Sequence, residues 1–155
     1  MAHRIIQNEA DLAALGTVFA NMKLPFTVQW VQGRDRSHDQ NALQWLWAGE
    51  AAEQYGDRTQ TEVQHDWKLR HGVPILREDN IDFRAIYDAM LKPLPYEGKV
   101  KLMAFMPITS EMKVPQMVRY LDTIHRECGE QGIRLTEPSS DLAQYQQRYR
   151  GREAA

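Results

Sequence analysis

Apolar residues recur at helical spacing in several stretches of the chain, and capping signals fix where the helices begin and end. The pattern predicts helices over residues 9–23, from His38 to Gly56, from Thr59 to Gly72, from Asn80 or Asp82 through Leu91, from Pro115 to Gly132, and over 142–149. Two capping boxes support these starts, Ser37 with Gln40 and Thr59 with Glu62.

The predicted helix that begins near His38 has an unusually wide apolar face. Leu43, Leu46, Trp47, Ala51 and Tyr55 form one stripe, and further apolar residues lie beside it. Such a helix is either deeply buried or packed against a second subunit. We therefore expect a homodimer.

Alternating apolar and polar residues predict strands in three places. The first is 26–31, after Pro25; the second is 99–106; the third is a short strand around Ile133 and Leu135. Residues 73–76 are predicted to be extended, because the residue before a proline avoids helix. The expected fold is a small α+β domain over 1–155, with four to six helices, a sheet of about three strands, and a frayed C-terminal tail from about residue 150.

Composition narrows the class of protein. The chain has 155 residues, of which 43% are hydrophobic and 26% charged, and a net charge of −2. These values are typical of a globular protein and argue against duplex binding by bulk charge, so any nucleic-acid site must be a local patch. No apolar run is long enough for a membrane span, no secretory signal is seen, and Cys128 is the single cysteine. We expect a cytoplasmic protein without membrane contact.

The run Arg34-Asp-Arg-Ser-His-Asp-Gln-Asn41 is the main candidate binding motif. Two guanidinium groups precede a helix start, where first-turn amides and the positive end of the helix dipole favour an anion such as phosphate. The structural alternative is that Asp35 and Asp39 pair with the two arginines and the loop has no ligand.

Two further basic and aromatic features add to a possible single-strand interface. Lys99, Lys101 and Phe105 share one face of the predicted second strand. Arg148 and Arg150 alternate with tyrosine near the C-terminus. Cationic tracks with exposed aromatic rings are the features on which single strands bind and stack.

Enzymatic chemistry has weaker support. Cys128 lies on an apolar helix stripe, and the histidines form no zinc-binding spacing. The phosphate-binding glycine loops of nucleotide-binding proteins are absent from the sequence. The remaining enzyme hypothesis is a metal-dependent nuclease that uses Asp35, His38 and Asp39, although a first-turn carboxylate is also explained by the helix dipole.

The segment from Arg34 to Trp47 resembles the signature of the phage NinB family of recombination proteins, also called Orf. In that family a strand is followed by an R-x-R-S-x-D-Q-N run and then by an aromatic-rich helix. Weaker similarities lie at Thr109-Ser-Glu-Met-Lys-Val114, at Gly132-Ile-Arg-Leu135 and in the closing tyrosine-arginine helix. The similarity spans roughly residues 26–150, and the stretch from Gly72 to Pro95 does not align.

The resemblance implies a dimeric α+β recombination mediator that binds single-stranded DNA and cooperates with host single-strand-binding protein during recombinase loading. By matching position, the motif residues that inherit importance are Arg34, Arg36, Ser37, Asp39, Gln40 and Asn41.

Our functional hypothesis is therefore a non-enzymatic mediator that binds single-stranded DNA without a cofactor or metal. The residues predicted to bind DNA are Arg34, Arg36, Ser37, Gln40, Asn41, Lys99, Lys101, Phe105, Arg148 and Arg150. Two alternatives remain: the nuclease, and an interaction adaptor whose arginines recognise an acidic tail of a partner protein.

Overall fold

The computed structural model describes residues 4, 6, 8–30 and 36–150, with side chains from residue 39 onward in the last stretch. The chain divides into two compact units, Met1–Asp35 and Arg36–Ala155. Throughout the described residues the regular structure is helical and no strand occurs. The predicted α+β fold with a sheet of about three strands is therefore wrong, and the described ranges contain more helices than predicted.

Among its described residues the first unit has one helix, α1 (Glu9–Ala20), which begins where predicted and ends three residues before the predicted end at residue 23. The side chain of Asn8 caps it by accepting from the amide of Asp11 at 2.9 Å. None of its residues is buried. Residues 26–30, predicted as a strand, follow in irregular conformation, and Val31 lies outside the described residues.

The second unit contains the remaining helices. Their bounds are α2 Arg36–Tyr55, α3 Gln60–Trp67, α4 Val73–Asp79, α5 Ile81–Met90, α6 Tyr96–Leu102, α7 Val114–Glu130 and α8 Ser140–Gln147. A π-helical segment, Lys68–Gly72, joins α3 to α4. None of the described helices is both long and apolar enough to cross a membrane.

The wide apolar face of α2 is covered only in part inside its own unit, since Leu46 is 47% exposed and Trp45 38%. Leu43, Trp47, Ala48 and Ala51 are buried in the core, where α2 packs against α3 and α7. The buried part of the face is thus explained without a second subunit, and the homodimer remains a prediction.

The joint between α3 and α4 explains one wrong prediction. The capping box of Thr59 and Glu62 is confirmed, with hydrogen bonds of 3.2 and 2.7 Å. Residues 73–76, expected to be extended, instead open α4, because Pro74 occupies the first turn, where a missing amide hydrogen costs nothing. Gly72 is required by close packing, since a Cβ there would lie 2.6 Å from Cγ2 of Ile108.

The predicted strand over 99–106 is helix α6 followed by turns. The apolar residues in this stretch are nearly continuous, so Val100, Met103 and Met106 also fit a helical spacing of three. These three pack on or in the core, which selects the helical alternative.

The predicted third strand is extended but has no partner strand. Gly132, with φ +76°, ends α7 in a Schellman motif in which the amide of Ile133 donates to the carbonyl of Cys128 at 2.8 Å. The following residues then lie along α2, whose side chains act as the neighbouring strand.

The contacts that hold this segment are specific. Gln54 bonds the backbone N–H of Arg134 at 2.8 Å and its carbonyl at 2.6 Å. Glu50 accepts from the amide of Thr136 at 2.8 Å, and the indole of Trp47 donates to the Thr136 carbonyl at 2.6 Å. The backbone groups are therefore satisfied without a sheet.

Candidate nucleic-acid interface

The predicted anion-binding motif spans the point in the sequence where the first unit ends and the second begins. Arg34 and Asp35 fall outside the described residues, and the side chains of Arg36, Ser37 and His38 are not described. The helix begins at Arg36, two residues before the predicted start, so Ser37 lies within α2 and is not its N-cap. The predicted capping box at this end is wrong.

The next motif residues face different ways. Gln40 is fully buried, and its Nε2 donates to Oε1 of Gln146 at 3.5 Å. Asn41 is exposed, whereas Asp39 is half-buried. Gln40 therefore packs α2 against α8 and is not presented to a ligand, which corrects its prediction as a DNA-binding residue. Asn41 is presented.

The C-terminal turn is attached to the fold. Leu142 and Tyr145 are buried, and the ring of Tyr149 packs edge-on against Tyr145 with centroids 5.2 Å apart. Ordered packing thus continues through residue 150, and residues 151–155 lie outside the described part of the chain.

The two arginines of this turn have different surroundings. The guanidinium of Arg150 donates to both carboxylate oxygens of Asp122 at 2.8 and 2.9 Å. The hydrogen bond to Asp122 raises the pKa of Arg150, while its partial burial opposes the shift. Because this cation already has a carboxylate partner, it is a weaker DNA ligand than predicted. Arg148 is exposed.

The second predicted patch belongs to another part of the unit. Both lysines lie on α6, where Lys99 is half-buried and Lys101 is exposed. Helix α6 packs against α3, and its Tyr96 forms a hydrogen bond to Asp66. Side chains two residues apart on a helix point in directions about 200° apart, so these lysines do not share the face predicted for a strand. Phe105, in the turn after α6, is 85% exposed and lies one turn beyond Lys101.

A polar cluster that the sequence analysis missed surrounds the π-helical segment. Arg70 pairs with Asp66 at 2.7 Å and also with Glu127, which contacts Nε2 of His71 at 2.5 Å. The hydroxyl of Tyr96 donates to the other oxygen of Asp66. Only the Asp66–Arg70 spacing of four residues was visible in the sequence, because Glu127 comes from α7.

The carboxylates of this cluster are held ionised. Burial alone raises the pKa of Asp66, but hydrogen bonds from Arg70 and Tyr96 outweigh it and leave the pKa below its ordinary value. Burial likewise raises the pKa of Glu127, but hydrogen bonds from Arg70 and His71 outweigh it, so this pKa is also lowered. Burial and the Asp66 contact raise the pKa of Tyr96 to about 12. The charges are mutually satisfied, so the cluster stabilises the fold and has no unpaired catalytic group.

The residues of the nuclease hypothesis are only partly described. Asp35 lies outside the described residues, and the side chain of His38 is not described. Among the residues that are described, no three His, Cys, Asp or Glu side chains come together as a metal-binding group. Cys128 is buried, and burial raises the pKa of its thiol to about 11, which opposes nucleophilic use.

The contact between Gln40 and Gln146 brings together the first turns of α2 and the last turn of α8. Comparison with known proteins gives no family assignment, since no family model, no curated protein and no solved structure matches the chain.

Proposed function

We propose that the chain binds single-stranded DNA and serves as a phage or prophage recombination mediator that assists recombinase loading together with host single-strand-binding protein. The observation that carries the proposal is the buried contact between Gln40 and Gln146. It packs the NinB-like motif helix against the basic turn after α8. Asn41 is exposed next to Gln40 in sequence, and Arg148 is exposed just after the last residue of α8.

Local charge at this contact supports an anionic ligand despite the net charge of −2. α2 has 20 residues, and its helix dipole gives its N-terminal end a partial positive charge. Arg36 is the first residue of this helix, and Arg34 precedes it by two residues. Such donors suit the phosphates of a flexible strand, and we propose Arg148 as a further phosphate contact.

Exposed rings favour single strands over duplex. Of the two rings considered as stacking platforms, Phe105 is exposed whereas Tyr149 packs against Tyr145. Phe105, with Lys101 one turn before it, is therefore retained as a secondary contact for an unpaired base.

The test is a fluorescence-anisotropy titration with a labelled single-stranded oligonucleotide over a range of salt concentrations. We expect Arg148→Ala, and Arg34→Ala combined with Arg36→Ala, to weaken binding and to reduce the salt slope by about 0.7 for each lost contact. The control is Arg134→Ala, which removes an exposed arginine whose backbone is bonded to Gln54, near the opposite end of α2. It should bind as the parent does.

Equal affinity of all these variants would remove the α2–α8 contact as the DNA site. Product formation that depends on Mg²⁺ would favour the nuclease instead. Failure to bind oligonucleotide at low salt, combined with binding of an acidic peptide, would favour the adaptor.

A further inference from the structure

Helix α5 turns charged residues toward its own unit and exposes several apolar residues. It has three charged residues, and two of them contact α4. Arg77 donates to both carboxylate oxygens of Asp88 at 2.8 Å, and Arg84 donates to the backbone carbonyls of Arg77 and Glu78. Arg84 and Asp88 of this surface helix are thus turned toward its own unit.

Five apolar residues of α5 are instead turned outward, whereas Phe83 and Tyr87 pack against the core. Ile81 is 77% exposed, Ile86 60% and Met90 71%, and Ala85 and Ala89 are exposed between them. Together with Asp82 these residues form what we call the outer face of α5. Contiguous exposed apolar surface on a small protein marks an interaction site more often than chance.

The outer face is presented on a firmly held helix. Asn80 caps α5 by accepting from the amide of Phe83 at 2.9 Å. Phe83 and Tyr87 stack with centroids 5.9 Å apart, and Tyr87 is buried in the core. The face is therefore preformed, and binding to it needs little ordering of the helix.

The ends of the outer face carry opposite charges. Asp82 lies in the first turn, and Lys92 follows the last helical residue by two positions and is exposed. A second α5 packed antiparallel about a twofold axis places the partner subunit's Lys92 near Asp82, and the same contact repeats at the other end. The two helix dipoles are then also antiparallel, and the alanines permit the close axial approach of packed helices.

We propose that the outer face of α5 is a self-association surface, on which the α5 helix of a second copy packs antiparallel. An anionic lipid surface or DNA fits less well, since Glu78, Asp79 and Asp82 are acidic residues beside or within the face. The proposal does not depend on DNA binding, and it supplies a surface for the expected homodimer in place of α2.

The test is sedimentation equilibrium of the full chain without DNA, up to high micromolar concentration. The parent should dimerise, and Ile86→Glu should raise the dissociation constant about tenfold or more, because it places like charges near the twofold axis. Leu12→Glu is the matched control, since Leu12 is also 60% exposed but lies on α1. It should leave the dissociation constant unchanged.

A charge exchange tests the antiparallel arrangement. Asp82→Lys and Lys92→Asp should each weaken dimerisation, and the double variant should restore it. Circular dichroism at low concentration shows whether each variant is folded. A monomeric parent, a dimer unaffected by Ile86→Glu, equal loss in Leu12→Glu, or failure of the double variant to restore the dimer would each overturn the proposal.

Discussion

Replacement of Arg70 by methionine tests whether the missed polar cluster stabilises the second unit. The guanidinium joins Asp66 of α3 to Glu127 of α7, and both carboxylates are largely shielded while the Arg70 side chain is 36% exposed. Hydrogen bonds to charged groups contribute about 1.5–3 kcal/mol each when shielded. Solvent screening at Arg70 reduces this, methionine keeps the aliphatic packing, and Asp66 retains the bond from Tyr96. We expect a loss of about 2 kcal/mol at neutral pH.

The loss should depend on pH in a defined direction. The folded-state pKa values of Asp66 and Glu127 are lowered, so their contribution is present above the unfolded values near pH 4 and is lost as the pH falls through the folded ones. The stability difference between parent and Arg70→Met should therefore be largest near pH 7 and shrink below about pH 4.

Thermal denaturation from pH 7 to pH 3 is the appropriate assay, with an expected decrease in Tm of about 6–10 °C at neutral pH. Arg150→Met makes the same chemical change at the more exposed pair with Asp122 and should cost only about 0–1 kcal/mol. A difference that is the same at pH 3 as at pH 7, or no difference at all, would show that Arg70 does not act through these carboxylates.

Two further predictions concern buried positions. Gly72→Ala should lower the free energy of unfolding by about 1–3 kcal/mol, because the new Cβ meets Ile108. Ile108→Ala should cost less in the Gly72→Ala background than in the parent. Additive losses in chemical denaturation would contradict the clash. Gln44→Leu should raise the free energy of unfolding by about 1 kcal/mol, since Gln44 is fully buried and neither of its amide atoms has a partner among the described residues. A clear loss in the same measurement would reveal an interaction of that amide.

Helix positions were more predictable than the fold class. Start signals such as the Thr59–Glu62 box and Asn80 are local interactions, and both act as caps in the structure. The strand predictions failed because they depend on partners that a local pattern does not contain. In and just after α6 the apolar residues fit both the strand period of two and a helical spacing of three, and the burial of Met103 favours the helix.

The strand prediction after Gly132 failed for a different reason. Ile133 and Leu135, whose alternation predicted a strand, both pack against the core in an extended segment that joins no sheet. The partner of that extended backbone is a row of side chains on α2, Trp47, Glu50 and Gln54, spaced three and four residues apart. Nothing in the segment itself distinguishes this arrangement from a sheet.

The candidate site was predictable as a motif but not residue by residue. Adjacent positions of a helix point about 100° apart, so Gln40 and Asn41 cannot share one environment. Gln40 is buried against Gln146, whereas Asn41 is exposed. The polar run at this helix start therefore includes one residue that attaches a second element and one that is exposed to solvent. Because Gln40 attaches α2 to α8, a buried motif residue can affect binding without contacting DNA.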